Sequence, residues 1–168
     1  LKATNPVYYG IYALGDFGSL DKLVYSNWQS FDFDHKEIKG ELICGLDFGY
    51  TNDPTAFVAG IVVPEENRIY VFKEWGGTGY LNDEIAEQIK SMGFAKSAIK
   101  ADAAEQKSID ENKRAGVYRI SPCIKGQGSI LQGIQKIQQY ELIIHPSCKE
   151  IMEELGSYSW EKDKQTNE

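Results

Sequence analysis

Two aspartates in this sequence stand where they could do chemistry. Asp47 closes the run Cys44-Gly45-Leu46-Asp47, and Asp102 closes Ile99-Lys100-Ala101-Asp102. A carboxylate at the C-terminal end of a strand faces the edge where ligands of open α/β sheets bind. Two carboxylates brought together there repel each other unless a cation sits between them. Hard oxygen ligands select Mg²⁺ or Mn²⁺. Two such ions, about 4 Å apart, clamp the attacking water and the leaving oxygen of a phosphodiester hydrolysis. Either aspartate alone reads equally well as a turn former or helix cap. As a pair, each after an apolar run, they favour a metal site. Glu105 is a candidate further ligand, or else a solvated residue ahead of a helix.

Other residues give weaker signals. Gly49, just after Asp47-Phe48, would let a phosphate or metal approach the backbone, or is a turn glycine. Lys125-Gly126-Gln127-Gly128 precedes a helix and could hold a DNA phosphate, or is a flexible loop. Lys125 and Lys107 are the candidate DNA contacts. Asp53-Pro54 reads as a turn, and His145-Pro146 as structural. Trp28, Trp75 and Trp160 read as core or interface residues rather than base-stacking platforms.

The elements that must position the two acids follow from periodicity. Strands are expected at Leu42 to Asp47, Thr55 to Val63 and Arg68 to Trp75, the last two joined by the turn Pro64-Glu65-Glu66-Asn67. Short loops between three strands imply an antiparallel meander. The pattern then becomes helical. Asn82 reads as an N-cap, Leu81, Ile85, Ile89 and Met92 form a stripe, and Gly93 ends it. Strands at Ala98 to Ala101, Val117 to Ile120 and Leu142 to Ile144 alternate with helices opened by Ser-x-x-Glu/Gln boxes at Ser108, Ser129 and Ser147. Ile130, Ile134 and Ile137 are expected to point inward from the second of these. The order β-β-β-α-β-α-β-α-β-α predicts an α/β fold: a mixed sheet of an antiparallel three-strand meander plus parallel strands, flanked by helices, in which the first strand can lie parallel beside the strand after the first helix. Asp47 and Asp102 then emerge side by side.

The chain has 168 residues, 42% of them hydrophobic, enough for one domain with a core. Its longest apolar run, Ala56 to Val63, is far short of the roughly 18 residues of a membrane helix. Three cysteines without a CxxC pair speak against a disulfide framework and a zinc site, and for buried thiols in a reducing compartment. The two histidines are too few and too far apart for a metal cluster. A net charge of −7 counts against a large nucleic-acid surface, so a DNA grip would have to come from other domains. Residues 1 to 36, rich in Tyr, Phe, Gly and Asp, read as a connector with one short strand around Tyr8 to Ala13. The domain is expected over 37–168, as a piece cut from a longer protein.

Several segments, in order, resemble the C-terminal nuclease domain of phage and prophage terminase large subunits. They are Ile11-Tyr12-Ala13-Leu14-Gly15 with Val24-Tyr25-Ser26-Asn27-Trp28; Gly45-Leu46-Asp47-Phe48-Gly49-Tyr50-Thr51-Asn52-Asp53-Pro54-Thr55-Ala56; and Ala101-Asp102-Ala103-Ala104-Glu105-Gln106-Lys107-Ser108-Ile109 on through Arg114-Ala115-Gly116. Lys125-Gly126 with Ser129 through Ile134, and His145-Pro146-Ser147-Cys148 through Tyr158-Ser159-Trp160, complete the set. The resemblance implies an RNase H-like fold, with strand order 3-2-1-4-5. It implies a metal-dependent endodeoxyribonuclease, using Mg²⁺ or Mn²⁺ in two-ion form, that cuts concatemeric double-stranded DNA during genome packaging. It further implies an upstream ATPase domain in the same full-length chain, a portal protein and a small terminase subunit as partners, and action in the cytoplasm of a bacterial host. Asp47 matches the family's first catalytic aspartate and Asp102 its second. The family's third acid follows a His-x-x-Asp-Ala-x-Arg-Tyr segment that is absent here; Glu161 and Asp163 do not match it, so the third ligand is expected past Glu168. No Walker A motif is present, so this piece is not expected to be the motor itself.

Three rivals share some of these features. Asp47-x-Gly49-x-Thr51 resembles the phosphate-binding turn of actin-like ATPases and sugar kinases, but no second such turn is found. A resolvase or transposase would share the metal site without the lead-in segment. A terminase fragment lacking its third acid would fold without cutting.

Overall fold

The computed structural model describes residues 22–160. The expected strand at Tyr8 to Ala13, the start of the connector, and the late acids Glu161 and Asp163 lie outside the described residues. Seven strands form one mixed sheet: β1 (Trp28–Ser30), β2 (Glu41–Asp47), β3 (Thr55–Val63), β4 (Arg68–Gly77), β5 (Ile99–Ala101), β6 (Ile120–Pro122) and β7 (Glu141–Ile144). Their order across the sheet is β1-β7-β4-β3-β2-β5-β6. The central run β4-β3-β2-β5-β6 is the expected 3-2-1-4-5 arrangement. The meander β2-β3-β4 is antiparallel, and β5, β6, β7 and β1 join in parallel.

Among the described residues four α-helices flank the sheet: α1 (Asn82–Ser91), α2 (Gln106–Arg114), α3 (Ser129–Gln138) and α4 (Lys149–Ser157). Alternation along the strands decides which residues meet them. Cys44, Leu46, Phe57 and Ala59 pack with Ile85 and Ile89 of α1, Ile109 of α2, and Ile99, Val117 and Ile120. On the same face Ile61, Val63, Tyr70 and Ile143 are covered by Phe33 and Ile38 from the segment after β1. Ile69, Val71, Leu142 and Ile144 point the other way, onto Cys148 and Leu155 of the α4 region. Each fully buried Ile or Phe contributes on the order of 1.5–3 kcal/mol. Phe72 has no partner across from β3, because Ala59 pairs Lys73 and Gly60 pairs Val71. This bulge shifts the alternation of β4, turning Trp75 toward the α1 core and Glu74 toward α4.

Several local expectations are corrected. The sheet takes its edge strand β1 from the stretch expected to be connector: Trp28 is buried and pairs Leu142. The fifth strand of the 3-2-1-4-5 run lies at Ile120–Pro122 rather than Val117 to Ile120, and Val117 is a buried residue of the preceding turn. None of the three Ser-headed boxes caps its helix. Ser108 lies inside α2, which starts at Gln106; α3 is entered from Gly128, in the left-handed conformation at φ 76°; α4 starts at Lys149. Asn82 is the first residue of α1 rather than its cap, and Leu81 ahead of it is exposed. Of the expected inward row on α3, Ile134 is buried while Ile130 and Ile137 are exposed.

Candidate functional site

Parallel pairing of β2 with β5 sets Leu46 opposite Ala101, so the next residues, Asp47 and Asp102, leave the sheet side by side at its C-terminal edge. This is the juxtaposition expected from the sequence. Their surroundings treat them unequally. The Asp47 carboxyl is held above the ordinary carboxylate range, first by burial and then by the charge of Asp102. Lys125 works in the opposite direction, while Asp53 and Glu105 add to the rise. The Asp102 carboxyl is held below the ordinary range, chiefly by a hydrogen bond from the Lys125 ammonium and then by the Ala104 N–H. Lys125 Nζ lies 2.5 Å from Asp102 Oδ1, and the Ala104 N–H donates to that same oxygen at 2.8 Å. An acid pair in which one member is strained by the other, with an ammonium drawn onto it, is a donor set that suits a cation.

The loop carrying Asp47 is fixed from below. Thr55, wholly buried, accepts the Gly49 N–H and donates to the Gly49 carbonyl. A Cβ on Gly49 would lie 2.1 Å from the Asp53 carbonyl oxygen and 2.5 Å from the Pro54 carbonyl carbon. Gly49 is therefore needed for the fold-back of its own loop against Asp53-Pro54. The Gly79 N–H donates to the Tyr50 carbonyl at 2.7 Å, tying the loop to the end of β4. Beyond these ties lies an open cleft of about 880 Å³, lined by Tyr50, Asn52, Asp53, Asn82, Glu105 and Lys107 among others.

The remaining candidates fall out as follows. Glu105 reaches Asp47 electrostatically, but its carboxylate accepts the Ser108 hydroxyl. Among the described residues no group of three His, Cys, Asp or Glu is placed to hold a metal ion, so Glu105 does not complete a trio with the two aspartates. Lys107 is almost fully exposed beside Glu111. Lys125 does not stand free for DNA: it is committed to Asp102. His145, read as structural, bridges Ser147 and Asp32. Sequence reasoning missed the Lys125–Asp102 pair, the Thr55 clamp and the electrostatic nearness of Asp53. The first needs the β5–β6 crossover to be known. The clamp had a signal in the short spacing of Gly49, Asp53-Pro54 and Thr55.

No helix among the described residues is long and apolar enough to cross a membrane. The fold is shared with solved terminase structures. The nuclease domain of the large terminase (g2p) of bacteriophage SPP1, crystallised with bound Mn, superposes with a TM-score of 0.78 at 27% identity, over 84% of each chain. The large terminase nuclease of thermophilic phage G20c gives 0.57 at 16% identity, over 88% of this chain and 83% of that one. In sequence the chain is 31% identical over 121 residues to the PBSX phage terminase large subunit of Bacillus subtilis (strain 168), and 30% identical over 123 residues to the terminase large subunit of Bacillus phage SPP1. Each alignment takes in 71% of this chain but only 28% and 29% of those relatives, so the chain spans under a third of their length. A family model described as Terminase RNAseH like domain matches residues 47–168. That match takes in most of the sheet and both aspartates, and it shows that the chain belongs to the terminase RNase H-like family, the nuclease domain of phage terminase large subunits.

Proposed function

We propose that this chain is a metal-dependent endodeoxyribonuclease domain that cuts concatemeric double-stranded DNA during viral genome packaging, with Asp47 and Asp102 as its metal ligands. The observation that carries this reading is the in-register exit of the two aspartates from parallel neighbours β2 and β5. The bound Mn of the SPP1 nuclease domain supports the choice of cation. Mg²⁺ or Mn²⁺, two ions in this reading, would supply Lewis acidity to the attacking water and to the leaving oxygen. The chain's own part is to hold and aim. Asp47 and Asp102 provide hard oxygen donors, and the Gly49–Thr55 clamp keeps Asp47 at the sheet edge. Glu105 sits in the outer surroundings, and Lys107 faces the cleft through which a phosphate backbone would pass. A third acidic ligand belongs to this reading and is sought outside residues 22–160.

The wider assignment follows the family. An ATPase domain in the same full-length chain, a portal protein and a small terminase subunit are the proposed partners, in the cytoplasm of a bacterial host. With net charge −7 the domain repels DNA at long range, so basic surfaces of those partners deliver the substrate.

The test is conversion of supercoiled plasmid to nicked and linear forms, with Mn²⁺, Mg²⁺ or EDTA, by this chain and by its full-length subunit. Cutting with either ion and none in EDTA is expected from at least one of them. A specific observation favours one alternative: the described residues hold no third metal-binding side chain beside the two aspartates. Folded protein that never cuts, in either length and with either ion, would establish a non-cleaving module instead.

A further inference from the structure

We propose that Lys125 is a built-in counter-ion for the Asp47–Asp102 pair, which a divalent ion displaces on binding, so that the ammonium is released toward a DNA phosphate. This inference rests on the metal-binding reading of the two aspartates. Asp102 Oδ1 already receives both the Lys125 ammonium and the Ala104 N–H. An oxygen so engaged has little left for a metal, and an ammonium and a divalent ion cannot share it without strong repulsion. A divalent ion that takes this oxygen displaces the ammonium. Lys100, on β5 itself, is turned aside to Ser121 Oγ at 3.0 Å, so it does not stand in for Lys125.

The loop is built to let Lys125 go. Its base is fixed where the Cys123 N–H donates to the Ala101 carbonyl at 2.8 Å. Past Lys125 the backbone runs through Gly126 and Gly128, around which a Cβ would meet nothing within 4 Å. The Lys125 side chain is half exposed, so its departure uncovers no core. In the metal-free state the ammonium offsets the repulsion between the two acids. In the loaded state it is a mobile cation at the mouth of the site, suited to a phosphodiester oxygen. The arrangement suppresses loading of the site at low metal concentration and couples loading to readiness for DNA.

The test is Mn²⁺ binding to the 168-residue chain without DNA, followed by the loss of the free-ion EPR signal. Lys125→Gln and Lys125→Ala are expected to bind Mn²⁺ about fivefold to tenfold more tightly than the parent, since a unit positive charge beside the ion has been removed. Lys125→Arg keeps the charge and should stay within about twofold. Circular dichroism melts confirm that each chain is folded, and if the alanine variant is not, the glutamine variant decides. Equal or weaker Mn²⁺ binding by folded Lys125→Gln overturns the counter-ion role. Asp102→Asn separates the two levels of the argument. If it abolishes binding while the Lys125 variants match the parent, only the counter-ion proposal falls. If neither these chains nor the full-length subunit binds Mn²⁺, the metal reading and this proposal fall together.

Discussion

Thr55 Oγ1 accepts the Gly49 N–H at 3.1 Å and donates to the Gly49 carbonyl at 2.9 Å, so one buried hydroxyl holds both backbone groups of the residue two places after Asp47. Valine has the same shape without the hydroxyl. Thr55→Val leaves the Gly49 groups unpartnered, at a cost of about 1–3 kcal/mol. For a chain of this size that is a fall of about 2–12 °C in Tm. Because the clamp aims Asp47, metal-dependent cleavage should fall further than the stability loss explains, and Thr55→Ser should restore both. Differential scanning calorimetry and plasmid cleavage at a temperature well below both Tm values check this. Unchanged cleavage in Thr55→Val would detach the clamp from the site.

Glu74 performs on α4 the task that the Ser147 box was expected to perform. Its two carboxylate oxygens accept the N–H groups of Glu150 and Ile151 at 3.1 and 2.9 Å, at the positive end of the helix dipole. Glu74→Ala removes both acceptors and is expected to cost about 1–2 kcal/mol. Glu74→Gln keeps one acceptor and should cost less. Since α4 covers the Ile69–Leu142–Ile144 cluster, the loss should show as a lower Tm and faster amide exchange in α4 and β7. An unchanged Tm in Glu74→Ala would mean that α4 does not depend on this cap.

What the sequence made legible, and what it did not, divides along a physical line. Alternation placed β2, β3 and β4 within a residue or two, and the helix periods placed α1, because each of these elements buries one face and its neighbours are close in sequence. The meander followed from its short loops, whereas the 3-2-1-4-5 order over the central run followed from the family resemblance. The failures are contacts made across the fold. Trp28–Ser30 is a three-residue strand with no period to read, and its partner β7 lies far along the chain. The Ser-headed boxes lost to remote groups: Glu74 comes from β4 to cap α4, and Ser147 turns to His145. The α3 stripe reads as a buried face, yet only Ile134 finds cover. In the site, the two aspartates were readable because each ends an apolar strand. The Lys125–Asp102 pair was not readable, because nothing in the sequence shows that β6 pairs beside β5 and so brings the loop after it onto Asp102.

The cysteines should behave as two buried thiols and one accessible one. Burial pushes the thiols of Cys44 and Cys148 up to about 11 each, while Cys123 is partly exposed. Thiolate is the reactive form. Native protein at pH 8 is therefore expected to alkylate with iodoacetamide at Cys123 and to be spared at the other two, as read by peptide mass spectrometry. Because folding raises these two pKa values, their stabilising contribution is fully present below the unfolded thiol value near 9. It is lost as the pH rises from there through about 11, so Tm should fall across that window. Equal labelling of all three in the native state would contradict the buried placement of Cys44 and Cys148.

The most direct measurement compares parent and Asp47→Asn in the same Mn²⁺ plasmid-cleavage assay, with Tm recorded in EDTA. Loss of a metal ligand should reduce cleavage at least about a hundredfold, since removing a group that only hydrogen-bonds to a ligand already costs about 10–100-fold. Asp47 is raised by burial and by the charge of Asp102, so a neutral amide relieves repulsion and Tm in EDTA should not fall. Lost cleavage with an undiminished Tm is the predicted result. Parent-like cleavage by Asp47→Asn would contradict the assignment of the β2–β5 edge as the nuclease site.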